Sequence, residues 1–303
     1  MYDPDDPRSV LAGEVDRRAR SAVPFAGSQY VRFEEVPPSQ SGPPTWWVRG
    51  ANVLVGYTDV GATAGSLPVT SSSDEWMLLL PDEAAAAMVE VGGERRELQG
   101  LVVIPPGDVH VEVTGSGAAV AILPAHAAPT IEPGAVNADA YDVPRLDVAP
   151  VIRWTPVEGH RLRSYRLAVD PEPGRFGRIW QCSTLMVNYL EPIEGPRDRR
   201  KLSPHSHDDF EQLSLALRGE YVHHLRWPWG SDATQWRDDE HERCSAPSVA
   251  VIPPRALHTS EAVSDGTNQL LDIFSPPRSD FAEQGWVLNG SEYEPPAATS
   301  VDL

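Results

Sequence analysis

Cysteine is nearly absent. Cys182 and Cys244 are the two among 303 residues, so no disulfide framework can be read. Positive charge is scarce too: 25 Lys and Arg stand against 44 Asp and Glu, a net charge of −19. That balance argues against nucleic acid or an anionic membrane as a partner, because both require clustered Lys and Arg. No run approaches the ~18 apolar residues of a membrane span. The opening MYDPDDPRSV has neither the basic n-region nor the apolar h-region of a secretory leader. The expectation is a cytoplasmic protein whose partner is a small molecule.

Long helical patterns are also missing, because 30 prolines and 23 glycines punctuate the chain. One helical stretch is expected, over Ser9–Arg20 with Ser9 as N-cap. Elsewhere short apolar runs lie between turn residues, as in NVLVGYTDV, EWMLLLP, LVVIPP, EQLSLALRGE and SVAVIPP. This rhythm predicts an all-β sandwich or barrel.

The pattern occurs twice. LVVIPPGDVH ends at His110 and VAVIPPRALH ends at His258, each after an acidic-apolar strand and before a strand that ends in proline. Two copies of one β-domain explain this. The expected division is an N-terminal arm with a short helix over 1–45, a first barrel over 46–126, an Ala/Pro-rich linker over 127–150, a second barrel over 151–290 and a disordered tail over 291–303. The second copy is longer, and its extra residues fall in RWPWGSDATQWRDDEHERC, with Trp227, Trp229 and Trp236. A lid over a pocket and a solvated hairpin tip with a homodimer contact are both open readings of that insertion.

Chemistry concentrates at Pro204-His205-Ser206-His207-Asp208-Asp209-Phe210-Glu211-Gln212, with His258 downstream. Histidines at i and i+2 of a strand share a face, about 6.6 Å apart, and can reach one cation. Glu211 or Gln212 could join them only after a turn, for which Asp208-Asp209 is the expected place. Three imidazoles plus an oxygen ligand suit Fe, Mn, Ni, Zn or Cu. The oxygen ligand stays open at this point. Carboxylates are the commoner ligands, which favours Glu211, whereas Gln212 shares its strand face with the smaller Ser214 and Ala216. His223 and His224 are adjacent and must face opposite ways. Arg226 follows on the His224 face and is a candidate partner for a substrate carboxylate.

These motifs resemble those of the cupin superfamily, specifically the bicupins. The first cupin motif is H-x-H, three or four residues, Glu or Gln, six residues and Gly. Here it runs from His205 and His207 through Gln212 to Gly219, and Gln212 fits the spacing better than Glu211. The second motif, P-x-G-x-x-H, stands as Pro105-Pro106-Gly107-Asp108-Val109-His110 and as Pro253-Pro254-Arg255-Ala256-Leu257-His258, with Arg255 in place of Gly. Aligning Glu75 with Glu211 puts Val69 and Ser71 where His205 and His207 stand, so the first barrel is expected to be metal-free.

The resemblance implies an all-β fold of two jelly-roll cupin barrels. It implies one divalent transition metal (Fe, Mn, Ni or Zn) in the C-terminal barrel, on His205, His207, Gln212 and His258, with Glu211 and Arg226 as catalytic candidates. The implied activity is isomerase or lyase chemistry on a small keto, hydroxy or sugar acid. An Fe(II) dioxygenase and a non-catalytic sugar-binding bicupin are the alternatives.

Overall fold

The computed structural model describes residues 25–39, 42–61, 65–129, 131, 134–230 and 232–296. The expected helix over 9–20 lies outside them, as do residues 297–303 of the expected tail; the start of that tail is instead ordered, because Tyr293–Glu294 pairs with Thr155–Pro156 and Tyr293 is buried. Among the described residues the regular structure is mostly strand, with a few short 3-10 turns, and the one α-helix is Ser279–Glu283.

The chain forms two compact units that do not follow a simple linear division. One comprises Phe33–Val143, Pro150–Glu191 and Leu271–Leu303; the other comprises Met1–Arg32, Pro144–Ala149 and Pro192–Leu270. Residues 151–191 and 271–290, expected in the second barrel, therefore cluster with the first, and residues 144–149 of the expected linker cluster with the second. The physical reason is strand pairing. Arg163–Tyr165 adds to the edge of Gly100–Ile104 in the first unit, and Gln29–Arg32, from the expected N-terminal arm, pairs with Ser248–Ile252 in the second.

In the first unit a six-stranded antiparallel sheet runs in the order Arg163–Tyr165, Gly100–Ile104, Trp76–Leu80, Gly117–Pro124, Val53–Val60, Thr45–Arg49. A second sheet orders Gly65–Ser66, Gly107–Gly115, Ala85–Val91 and Glu94–Leu98, with Ser71–Ser72 also on Gly107–Gly115. The apolar runs are buried on both faces: all five residues of Trp76–Leu80 are buried. Trp76, Leu78, Leu80, Val102, Ile104 and Val111 belong to one contiguous apolar core. This barrel is filled by packed side chains.

The second unit has the same local grammar but a different filling. Gln212–Arg218 pairs with Ser248–Ile252, which in turn pairs with Gln29–Arg32. A separate three-stranded sheet has Glu220–Arg226 between Glu240–Ser245 and Leu257–Ala262. Gly219 makes the turn from Gln212–Arg218 into Glu220–Arg226 at φ +81°, and a Cβ there would lie 2.3 Å from Asn268 Oδ1. The position therefore accepts only glycine. The apolar cluster of this unit is small: Leu225, Trp227, Ala250, Ile252 and Ala256, with Phe25 and Tyr30 against it.

Candidate metal centre

The chain bends at Asp208 and Asp209, where the turn is expected, and the strand resumes at Gln212. His205 forms an isolated antiparallel bridge with His258: its N–H donates to the His258 carbonyl at 3.0 Å, and the return bond is 2.8 Å. Arg255 holds the next residue pair. Its N–H donates to the His207 carbonyl at 2.5 Å, and its guanidinium lies 4.2 Å from the Phe25 ring centroid. Arg255 adopts φ +71°, a left-handed conformation that glycine reaches at lower cost. These contacts hold it at the motif's glycine position.

This backbone brings three imidazoles together. The ligand-capable atoms of His205, His207 and His258 lie within 4.8 Å of one another, and no other group of three or more His, Cys, Asp or Glu among the described residues converges in this way. His207 and His258 are buried, whereas His205 is exposed. Their ring centroids are 4.5–5.1 Å apart. Phe210 stacks on His207 at 4.3 Å.

Hydrogen bonds set the tautomers. His205 Nδ1–H donates to the Ser203 carbonyl at 3.0 Å, and His258 Nδ1–H donates to the Ala256 carbonyl at 2.9 Å. Because a carbonyl only accepts, each Nε2 is left with its lone pair. His258 Nε2 is buried and has no hydrogen-bond partner. Burial first, and then the neighbouring His205, hold the His258 imidazole down to about 4, so it is neutral at neutral pH. A buried, unpartnered nitrogen beside two further imidazoles fits a divalent transition metal.

Glu211 and Gln212 separate cleanly. Gln212 Oε1 lies 2.9 Å from His207 Nε2, and its amide Nε2–H donates to Ser214 Oγ at 2.9 Å. Glu211, 3% exposed, pairs with Arg145 at 2.7 Å. Arg145 comes from the segment read as linker and is flanked by Pro144. Nothing in its Ala/Pro-rich surroundings marks it as a partner of the motif, and only tertiary structure supplies it.

Arg226 does not line the site. Burial alternates along Glu220–Arg226, so Tyr221, His223 and Leu225 face inward while His224 and Arg226 face out. The Arg226 side chain is 69% exposed and pairs with Asp239 at 2.7 Å. The alternation instead assigns His223 to the interior, which the sequence left undecided between His223 and His224. In the first unit His110 is exposed on its strand.

The insertion in the second copy carries one buried and two exposed tryptophans. Trp227 Nε1–H donates to Glu240 at 3.0 Å, and Tyr30 and Ser28 donate to the same carboxylate. Trp229 and Trp236 stack on each other at 4.5 Å and 7°. Both thiols are buried.

No protein-family model matches the sequence, and no curated protein matches it. Solved structures do. An oxalate decarboxylase from Lactobacillus farciminis, in complex with formate, is similar at TM-score 0.52 and 12% identity, covering 82% of this chain and 86% of that one. A variant oxalate decarboxylase from Bacillus subtilis gives 0.53 and 12%, covering 91% and 85%. AerE from Microcystis aeruginosa gives 0.50 and 9%, covering 84% and 99%. The shared feature is the fold: two cupin barrels in one chain.

Proposed function

We propose that this bicupin is a metal-dependent enzyme acting on a small organic acid by isomerase- or lyase-type chemistry. The observation that carries the reading is the donor set. His205, His207 and His258 converge, Gln212 Oε1 points at His207 Nε2, and Glu211 is held by Arg145. His205, His207, Gln212 and His258 would hold the metal, with Fe, Mn, Ni and Zn as the candidates. Because all four are neutral, a divalent cation bound there would keep its full charge and act as a Lewis acid on a substrate oxygen.

The chain's own residues prepare that site. The Ser203 and Ala256 carbonyls orient two imidazoles, and Phe210 fixes the plane of His207. Arg145 keeps the carboxylate of Glu211 in an ion pair, so it is not a proton acceptor at the centre. Small molecules enter on the side of His205, the exposed member. A small acid as substrate is supported by the oxalate decarboxylases among the structures that share the fold.

The test is elemental analysis of purified protein, followed by turnover assays with and without oxygen on short 2-oxo, 2-hydroxy, dicarboxylic and sugar acids. One metal per chain and turnover in the absence of oxygen are expected. Stoichiometric oxygen consumption would replace the reading with an Fe(II) dioxygenase. Bound metal with no turnover on the panel would replace it with a ligand-binding bicupin.

A further inference from the structure

His223 is a buried imidazole with one nitrogen unaccounted for. Its side chain is fully buried, Nδ1 lies 2.9 Å from Ser260 Oγ, and Nε2 has no partner. It stands directly across from Ser260, and its neighbour Leu225 stands across from His258. Ser260 and His258 are two apart, so they share a strand face, about 6.6 Å from each other. His223 is thus one step further into the barrel than the three histidines, on the same side of the wall. Tyr30 and Tyr221 flank it, with ring centroids at 6.2 and 6.3 Å.

Three buried side-chain atoms of this unit lack a partner among the described residues: His258 Nε2, His223 Nε2 and Ser248 Oγ. All three belong to inward-facing positions. Ser248 shares its strand face with Ala250 and Ile252, which pack against Leu225. The inward residues of the facing strand are Gln212, Ser214 and Ala216, and Ala250 lies opposite Ser214. Small side chains therefore occupy this level, whereas the first barrel packs Leu and Trp into its interior. A buried polar atom left without a partner costs about 1–3 kcal/mol, and a polar guest reaching these atoms relieves that cost.

We infer that His223 Nε2 is the second anchor of the substrate. One oxygen of the acid is held at the centre formed by His205, His207 and His258, and a second oxygen function further along the molecule hydrogen-bonds His223. This inference rests on the metal reading above and narrows the substrate class. A guest with a second oxygen function beyond the one held at the centre is a short dicarboxylic, oxo or hydroxy acid rather than a monofunctional acid. His223 is uncharged, its imidazole held by burial down to about 3, so it serves as a hydrogen-bond partner and not as a counter-ion.

The experiment uses the full chain loaded with Mn(II), with malonate and acetate as probes in titration calorimetry. His223→Asn keeps a polar atom near the Nδ1 position for Ser260 and deletes Nε2. His223→Gln restores a polar atom near Nε2. We expect His223→Asn to retain its metal and to weaken malonate by about tenfold or more, with acetate changed by less than about twofold. His223→Gln recovers most of the malonate affinity. Equal effects on both acids, an unchanged malonate affinity in His223→Asn, or no malonate binding by the metal-loaded wild-type chain would overturn the inference and leave the metal reading standing. A wild-type chain that takes up no metal by elemental analysis overturns both.

Discussion

Trp76 and Gln212 hold the same register position in two different strands. Trp76 lies opposite Ile104, and Gln212 lies opposite Ile252. Each follows a buried glutamate that an arginine neutralises. Glu75 pairs with Arg163 at 2.9 Å, and Glu211 pairs with Arg145 at 2.7 Å. One copy thus places a fully buried indole where the other places an amide facing a histidine. The repeat preserves the architecture around the position and changes what the position does.

The chain should therefore hold one tightly bound transition metal. His205→Ala and His207→Ala should each abolish metal binding while circular dichroism stays native, because the apolar strands do not depend on the centre. Two equivalents per chain, with the second lost on His110→Ala, would contradict this. Global unfolding of either variant would show that the site is structural instead.

The two neighbours Glu211 and Gln212 should fail in different ways. Gln212→Ala should cost metal affinity or rate heavily and stability little. Glu211→Ala should leave the metal in place and remove one of the two carboxylates on Arg145, which keeps its ion pair with Asp147 at 3.0 Å. The loss of stability should therefore be smaller than the ~3–5 kcal/mol of a fully broken buried pair, and visible in chemical denaturation. Metal loss from Glu211→Ala with retention in Gln212→Ala would reverse the ligand assignment.

Shortening the insertion should spare folding, provided that Trp227 and Glu240 are kept, since Glu240 accepts hydrogen bonds from Trp227, Tyr30 and Ser28. Removing residues 229–238 takes out the stacked Trp229 and Trp236. If these form a pocket wall, the Michaelis constant rises; an unchanged constant removes the lid and leaves the hairpin-tip reading.

Acid should destabilise the metal-free protein through His223. Its imidazole titrates near 6.5 in an ordinary setting and at about 3 in the fold. Above pH 6.5 both states are neutral and nothing is gained or lost. Between these values the unfolded chain takes a proton that the folded chain refuses, so stability falls as pH falls, by about 1.4 kcal/mol per pH unit at the steepest. Denaturant midpoints from pH 7 to pH 4 should show a shallower slope in His223→Asn. An identical slope would remove His223 from the account.

Much of this protein was legible in the sequence because it is written in local spacing. The alternation of short apolar runs and turn residues gave the all-β barrels, and the I-P-P-x-x-x-H repeat gave their number. The i, i+2 histidines with a bend before Gln212 gave most of the centre. Strand geometry fixes which side chains share a face, and that geometry can be read along the chain. What tertiary structure decided was long-range. Arg145 reaches Glu211 from a segment with linker composition, and residues 29–32 complete a sheet more than two hundred positions away in the chain. Which of His223 and His224 points inward depends on the register with Ser260, not on either residue's own neighbours. Strand pairing joins backbones whatever their separation in sequence. The charge partner of Glu211 and the inward face of Glu220–Arg226 were therefore set only when the sheets assembled.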